Sequence, residues 1–153
     1  MYERILVAVD GSATALRGLD EAIKVAKSTG GQLMLVHIVN DIVVTADYVP
    51  SVYYERLVQS LRESGAKLLE EAAAIARRAG VSSEQRLLDT AGTRVADEIV
   101  KQAKAWPADL IVMGTHGRRG VERLVMGSDA ELVLRASTVP VLLVRAIQAE
   151  SVS

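Results

Sequence analysis

Apolar and polar residues follow two rhythms along this chain, and the rhythms take turns. Residues 5–9, Ile-Leu-Val-Ala-Val, are apolar throughout, the pattern of a parallel strand covered on both faces. Asp10-Gly11-Ser12 punctuates that run, and Ser12 is placed to cap a helix. Leu16, Leu19, Ala22, Ile23 and Ala26 then recur at helical spacing and predict one inward face. Gly30-Gly31 stops this helix, and a second strand covers residues 32–39. From residue 52 to about 79 runs a long helical pattern, with Leu57, Leu61, Leu68, Leu69, Ala72, Ile75 and Ala76 as its apolar face. Gly65 interrupts it at a cost of ~1 kcal/mol relative to Ala, and marks either a bend or a close packing contact. Residues 83–89 read as a strand whose Glu84, Gln85 and Arg86 suit a sheet edge. Ala91-Gly92-Thr93 turns into a helix with Val95, Ile99, Val100 and Ala103 inward, closed by Trp106-Pro107. Residues 109–113 form another strand, apolar throughout after Asp109, residues 129–135 a short helix, and Val141–Val144 the last strand.

Strands that alternate with helices predict an α/β fold with a parallel sheet and right-handed crossovers. The expected architecture is a single-domain, open, five-stranded sheet of order 3-2-1-4-5 with helices on both faces, Rossmann-like. In that order strands one and four are neighbours at the topological switch point, where ligands of open α/β sheets bind. Asp10 and Gly114 then face one crevice from two strand ends.

The connection after the fourth strand carries the most chemistry. Gly114, Gly117 and Gly127-Ser128 are spaced Gly-x2-Gly-x9-Gly-Ser, with Arg118, Arg119 and Arg123 between them. Glycine admits positive φ and lets a ligand approach backbone N–H groups. A helix that begins at Ser128 turns its unpaired N–H groups and the positive end of its dipole into the same space. The loop is a cradle for an anion, phosphate above all, or a set of plain turns with solvated arginines. Glycines alone do not choose. Neither the P-loop pattern nor Gly-x-Gly-x-x-Gly is present. Residues 40–51 leave the same edge of the sheet and form either a ligand wall or a solvated loop.

Composition narrows the classes. The chain has 153 residues, half of them hydrophobic, but no Phe and one Trp, so its core is built from Val, Leu, Ile and Ala. A net charge of −1 leaves no cationic excess for general nucleic-acid binding. Without cysteine there are no disulfides, thiol chemistry or thiolate metal sites. The first apolar run is too short for a signal peptide or a membrane span, which predicts a cytoplasmic protein with no membrane partner. Residues 147–153 are expected to form a flexible tail. The two histidines, His37 and His116, have no metal-ligand spacing; His116 either donates to a phosphate or is a plain loop residue. No general base is placed to activate water, and Ser128 lacks a hydrolase elbow.

The glycine spacing, together with the opening Ile5-Leu6-Val7-Ala8-Val9-Asp10-Gly11-Ser12, the segment from Leu33 through His37 to Val39, and Val139-Pro140-Val141-Leu142-Leu143-Val144, resembles the ATP-binding type of the universal stress protein family. The resemblance covers nearly the whole chain, residues 1–146 as one domain, with its elements in the family's order. It implies an ATP-binding regulatory protein of the stress response with at most slow hydrolysis, a Mg or Mn ion held mainly by the ATP phosphates, and a homodimer joined through Val141–Val144. By resemblance, Ala8, Val9 and Asp10 fall where the family contacts adenine and ribose. Asp10 is the natural acceptor for a ribose hydroxyl, and Ile38 meets the adenine edge through its backbone. Met113 and Gly114 fall beside the ribose and phosphates; Gly117, Gly127 and Ser128 fall on the phosphates, with Arg118 and Arg119 in the intervening loop. Asp129 departs from the small or apolar residue expected beside phosphate. It either strengthens the dependence on a metal ion or is only an acid at a helix start. Gly114→Val and Gly127→Val are expected to block binding with the fold largely intact. Two other classes stand beside this one: a nucleotide-free dimeric interaction module of the same family, and an adenine-nucleotide α-hydrolase, whose Ser-Gly-Gly-x-Asp-Ser loop Asp10-Gly11-Ser12-Ala13 does not match.

Overall fold

The structure is a computed structural model that describes residues 1–40, 50–90, 92–116 and 126–145. Its strands are β1 (Arg4–Ala8), β2 (Gln32–Val39), β3 (Ser83–Asp89), β4 (Leu110–Gly114) and β5 (Val141–Val144). Its helices are α1 (Ala13–Thr29), α2 (Ser51–Arg78), α3 (Val95–Ala105) and α4 (Ser128–Ala136). All strand pairs are parallel, and the sheet runs β3-β2-β1-β4-β5, the order the sequence predicts. Residues 146–153, and with them the expected tail, lie outside the described residues.

The apolar runs become central strands because both sheet faces are covered. Side chains alternate between faces along a strand. Ile5, Val7, Leu33 and Leu35 pack with Leu19 and Ile23 of α1 and Leu69, Ala72 and Ala76 of α2. Leu6, Met34, Val36, Ile111 and Met113 pack on the other face with Ile99 and Ala103 of α3 and Ala130 and Val133 of α4. β3 is an edge strand, and Glu84, Gln85 and Arg86 are exposed on it as their polarity requires. β5 is the other edge, and exposes the large apolar side chain of Leu142.

α1 is held at both ends by local chemistry. Ser12 is its N-cap and accepts from Ala15 N–H at 3.1 Å; Gly30 ends it in the left-handed region at φ 73° and donates to Ala26 O. The inward face differs from the expected one at Leu16, which is 49% exposed. The helix turns Ala15, Gly18, Leu19 and Ala22 to the sheet instead. Gly18 lets it lie close, since a Cβ there would already touch Val112 Cγ1 at 3.6 Å. Leu57 and Leu61, also expected inward, are 45% and 39% exposed. The reason is length. Twenty-eight residues of α2 span ~42 Å at 1.5 Å per residue, whereas the eight residues of β2 span ~26 Å. The N-terminal turns of α2 overhang the carboxyl edge of the sheet.

Gly65 resolves into a packing contact rather than a bend, since α2 runs unbroken through it. A Cβ at this position would fall on the His37 ring and within 2.9 Å of Leu87 Cδ1. Among the described residues no helix is long and apolar enough to cross a membrane.

Candidate functional site

β1 and β4 lie side by side, and the polypeptide turns away from both at the same edge of the sheet. At the end of β1, Val9 keeps one ladder bond, its N–H donating to Val36 O at 2.8 Å. Asp10 then braces the turn: its Oδ1 accepts from Ser12 N–H at 2.8 Å and from Ser12 Oγ at 2.5 Å. Gly11 takes φ 81°, which a side chain would resist. Ser12 caps α1 while Asp10 supports Ser12, so the bracing role and a ligand role occupy different atoms. Asp10 Oδ2 has no hydrogen bond among the described residues.

At the end of β4, Thr115 N–H donates to Val144 O at 3.0 Å, and Thr115 O accepts from Gly127 N–H at 2.6 Å. That second bond brings the start of α4 back to the strand it left. Gly127 is the N-cap of α4 and offers no side chain to the first turn. The N–H groups of that turn, beginning at Ser128, are therefore uncapped donors at the positive end of the helix dipole.

The two loops are stitched together from behind. Thr14 Oγ1 donates to the carbonyl oxygen of His116, and Ser12 Oγ lies 3.5 Å from the same oxygen. Thr14 is 5% exposed. Gly114 sits directly beneath it: a Cβ on Gly114 would come within 2.7 Å of Thr14 Cβ and 2.9 Å of the Thr14 carbonyl carbon. Gly114 is thus glycine because α1 starts against it, and the expected fold-neutral Gly114→Val is corrected on this ground. Gly127 is less crowded, its Cβ meeting Thr115 O at 3.0 Å. Nothing in the sequence pattern singled out Thr14, because a threonine two residues after a helix cap has no signature of its own.

Ala8, Val9 and Asp10 on β1 and its turn, Ile38 on β2, Met113 and Gly114 on β4, and Gly127, Ser128 and Asp129 at α4 therefore come to one edge, on three adjacent strands and one returning helix. Met113 turns its side chain into the core against α3 and α4, so only its backbone belongs to the crevice. Gly117, Arg118 and Arg119 lie outside the described residues, as do residues 41–49 of the connection after β2. His116 contributes its carbonyl to the stitch, and its Nδ1 lies 2.9 Å from Thr115 Oγ1.

Asp129 carries the clearest electrostatic signal. Partial burial of its carboxyl, and secondarily the charge of Asp10, hold it above the usual carboxylate range. The helix dipole favours an acid here, yet the net direction is upward. The charge of Asp10 thus reaches Asp129, which lies in the first turn of α4 beside its uncapped amides. Among the described residues no group of three or more acidic or histidine side chains gathers to hold a metal ion.

The raised Asp129 has a stability consequence. The unfolded polypeptide releases this proton near the ordinary value of 3.8 and the folded one only at higher pH. Above that value the unfolded state binds fewer protons, so stability falls as pH rises through the shifted range. Asp129→Asn is expected to raise the melting temperature at neutral pH and to lose that advantage below pH 3.8. Thermal scans at both ends of this range check it.

Comparison with known proteins gives a consistent picture. The model of the universal stress protein family matches residues 1–145. Universal stress protein YxiE of Bacillus subtilis is 34% identical over 151 residues, which cover 95% of this chain and all of that protein. A crystal structure from the same family in Burkholderia pseudomallei is 35% identical, covers 94% of this chain and 96% of its own, and superposes with a TM-score of 0.77. A universal stress protein from Archaeoglobus fulgidus, solved in complex with dAMP, is 27% identical with a TM-score of 0.65, over 94% of this chain and 98% of its own.

Proposed function

The chain belongs to the universal stress protein family, and from that premise we propose that it binds ATP in the crevice between β1 and β4 as a regulatory protein of the cytoplasmic stress response. The observation that carries this reading is the meeting of an uncapped helix start with a braced aspartate at the switch point of the sheet. Uncapped amides at a helix N-terminus suit phosphate, and a carboxylate oxygen without a partner suits a ribose hydroxyl. Ala8, Val9, Asp10 and Ile38 take the nucleoside; Met113 and Gly114 flank the ribose and phosphates through backbone atoms. Gly127, Ser128 and the start of α4 take the phosphates, with Gly117, Arg118 and Arg119 of the glycine loop. The dAMP bound by the Archaeoglobus fulgidus relative supports an adenine nucleotide as the ligand class.

The ATP carries Mg or Mn on its phosphates, because Asp10 and Asp129 would otherwise repel them. Among the described residues no side chain is placed as a general base for water, which supports reading any hydrolysis as slow. β5 joins two copies through Val141–Val144: it is an open parallel edge, and it exposes Leu142.

Mass spectrometry of nucleotide released from the purified, denatured protein tests the reading. ATP or ADP supports it. Empty protein that also ignores added ATP supports a nucleotide-free dimeric module, and rapid formation of AMP and pyrophosphate supports an α-hydrolase.

A further inference from the structure

The backbone groups of β2 alternate between its two neighbours. Leu33 N–H donates to Ser82 O at 3.0 Å and Thr90 N–H to Val39 O at 3.1 Å, so odd-numbered residues of β2 serve the β3 side. Val9 N–H donates to Val36 O at 2.8 Å, so even-numbered residues serve the β1 side. Continuing that ladder by one step would give Val9 O to the N–H of Ile38.

The structure ends the ladder there. His37 Nδ1 lies 2.6 Å from Val9 O. A carbonyl oxygen only accepts, so Nδ1 carries the hydrogen and donates it. Val9 O is taken by an imidazole from the α2 side of the sheet. The N–H and C=O of Ile38 are left facing the space beyond the end of β1, with no hydrogen bond among the described residues. Gly65 of α2 makes this possible, since any Cβ there would displace the His37 ring, its Nε2 standing 3.0 Å from that position.

The geometry points to His37 as a positioning residue for base recognition: by occupying Val9 O it keeps the peptide edge of Ile38 open as one donor and one acceptor. This rests on the nucleotide reading above and adds how the base is told apart. With the ribose fixed at Asp10, the order of donor and acceptor along the strand is fixed as well. Adenine presents an amino donor at position 6 beside an acceptor at position 1, and guanine presents the reverse. A site built to satisfy one order leaves groups unpaired with the other. Gly65 and His37 then act as a pair, the glycine on one element holding room for the ring on another.

The test compares ATP, GTP and inorganic triphosphate by calorimetry, with magnesium, on the full-length protein and on His37→Leu, His37→Gln and Gly65→Ala. ATP affinity is expected to fall about tenfold in His37→Leu, the effect of losing about one hydrogen bond of this kind. Triphosphate affinity is expected to stay unchanged, so that the preference for ATP over GTP collapses. Gly65→Ala, which favours the helix itself, is expected to do the same by displacing the ring. His37→Gln, which keeps an N–H donor, is expected to restore part of the preference. Hydrogen exchange at the Ile38 amide is expected to be fast in the original protein and slower in His37→Leu, as the N–H closes onto Val9 O. An unchanged ATP:GTP ratio, or an equal loss for ATP and triphosphate, overturns the inference. Should the original protein take no nucleotide, the reading beneath it fails, and exchange then decides the clamp by itself. Slower exchange in the variant upholds the clamp, and equal exchange overturns it.

Discussion

Gly114→Val is expected to cost about 2–3 kcal/mol of folding stability, because the added side chain has nowhere to go. Its Cβ alone would lie 2.7 Å from Thr14 Cβ and 2.9 Å from the Thr14 carbonyl carbon. The second of these is backbone at the start of α1, which a rotamer change does not relieve. The only escape is for α1 to lift away from β4, and that movement breaks the Thr14–His116 bond that joins the two loops of the site. Nucleotide affinity therefore falls together with stability, and a urea unfolding curve shows the fall without any ligand present. Gly114→Ala combined with Thr14→Ala is expected to recover only part of the loss, since the Thr14 Cβ position and backbone remain. An unfolding midpoint equal to that of the original protein would show that the seam between α1 and β4 has slack that these distances deny.

Removing divalent metal is expected to weaken ATP binding by a factor on the order of a hundred, and Asp129→Asn is expected to recover much of that factor. The argument is one of charge. Asp129 is already held above the usual carboxylate range by partial burial and by Asp10, before any phosphate arrives. A polyphosphate brings further negative charge to the same place. The α4 amides and the helix dipole offset part of this, worth about 0.3–1 kcal/mol at an exposed helix start, which is too little to hold a triphosphate beside two carboxylates. A divalent cation on the phosphates turns the repulsion by Asp10 and Asp129 into attraction. Titrations with magnesium and with a chelator, on both proteins, measure the difference directly. Equal metal dependence in the two would make Asp129 an ordinary acid in the first turn of α4.

The layout was legible where one physical rule acts alone. An all-apolar run such as residues 5–9 has one use in a protein this size, a strand covered on both sides, and β1 is that strand. The polar residues 84–86 have one comfortable place in a parallel sheet, its edge. Ser12 and Gly30 cap α1 by chemistry that is local in sequence. Legibility failed where contacts depend on distant segments. Leu16, Leu57 and Leu61 fit a helical stripe, but a stripe says nothing of where the sheet beneath it stops. Gly114 reads as a turn or a ligand contact, while its crowding comes from Thr14, a hundred residues earlier. Gly65 and His37 likewise explain each other only once α2 lies on β2. At the site, sequence spacing brought Asp10, Gly114, Gly127 and Ser128 to one edge correctly, and the fold added the stitch that holds them there.

The central claim is that uncapped amides at the start of α4, together with the braced turn after β1, hold the polyphosphate of an adenine nucleotide. Isothermal calorimetry of the full-length protein with ATP and magnesium tests it most directly. The account predicts a saturable titration with one site per protomer that Gly127→Val abolishes. A flat titration, even at millimolar ATP with magnesium present, would contradict it.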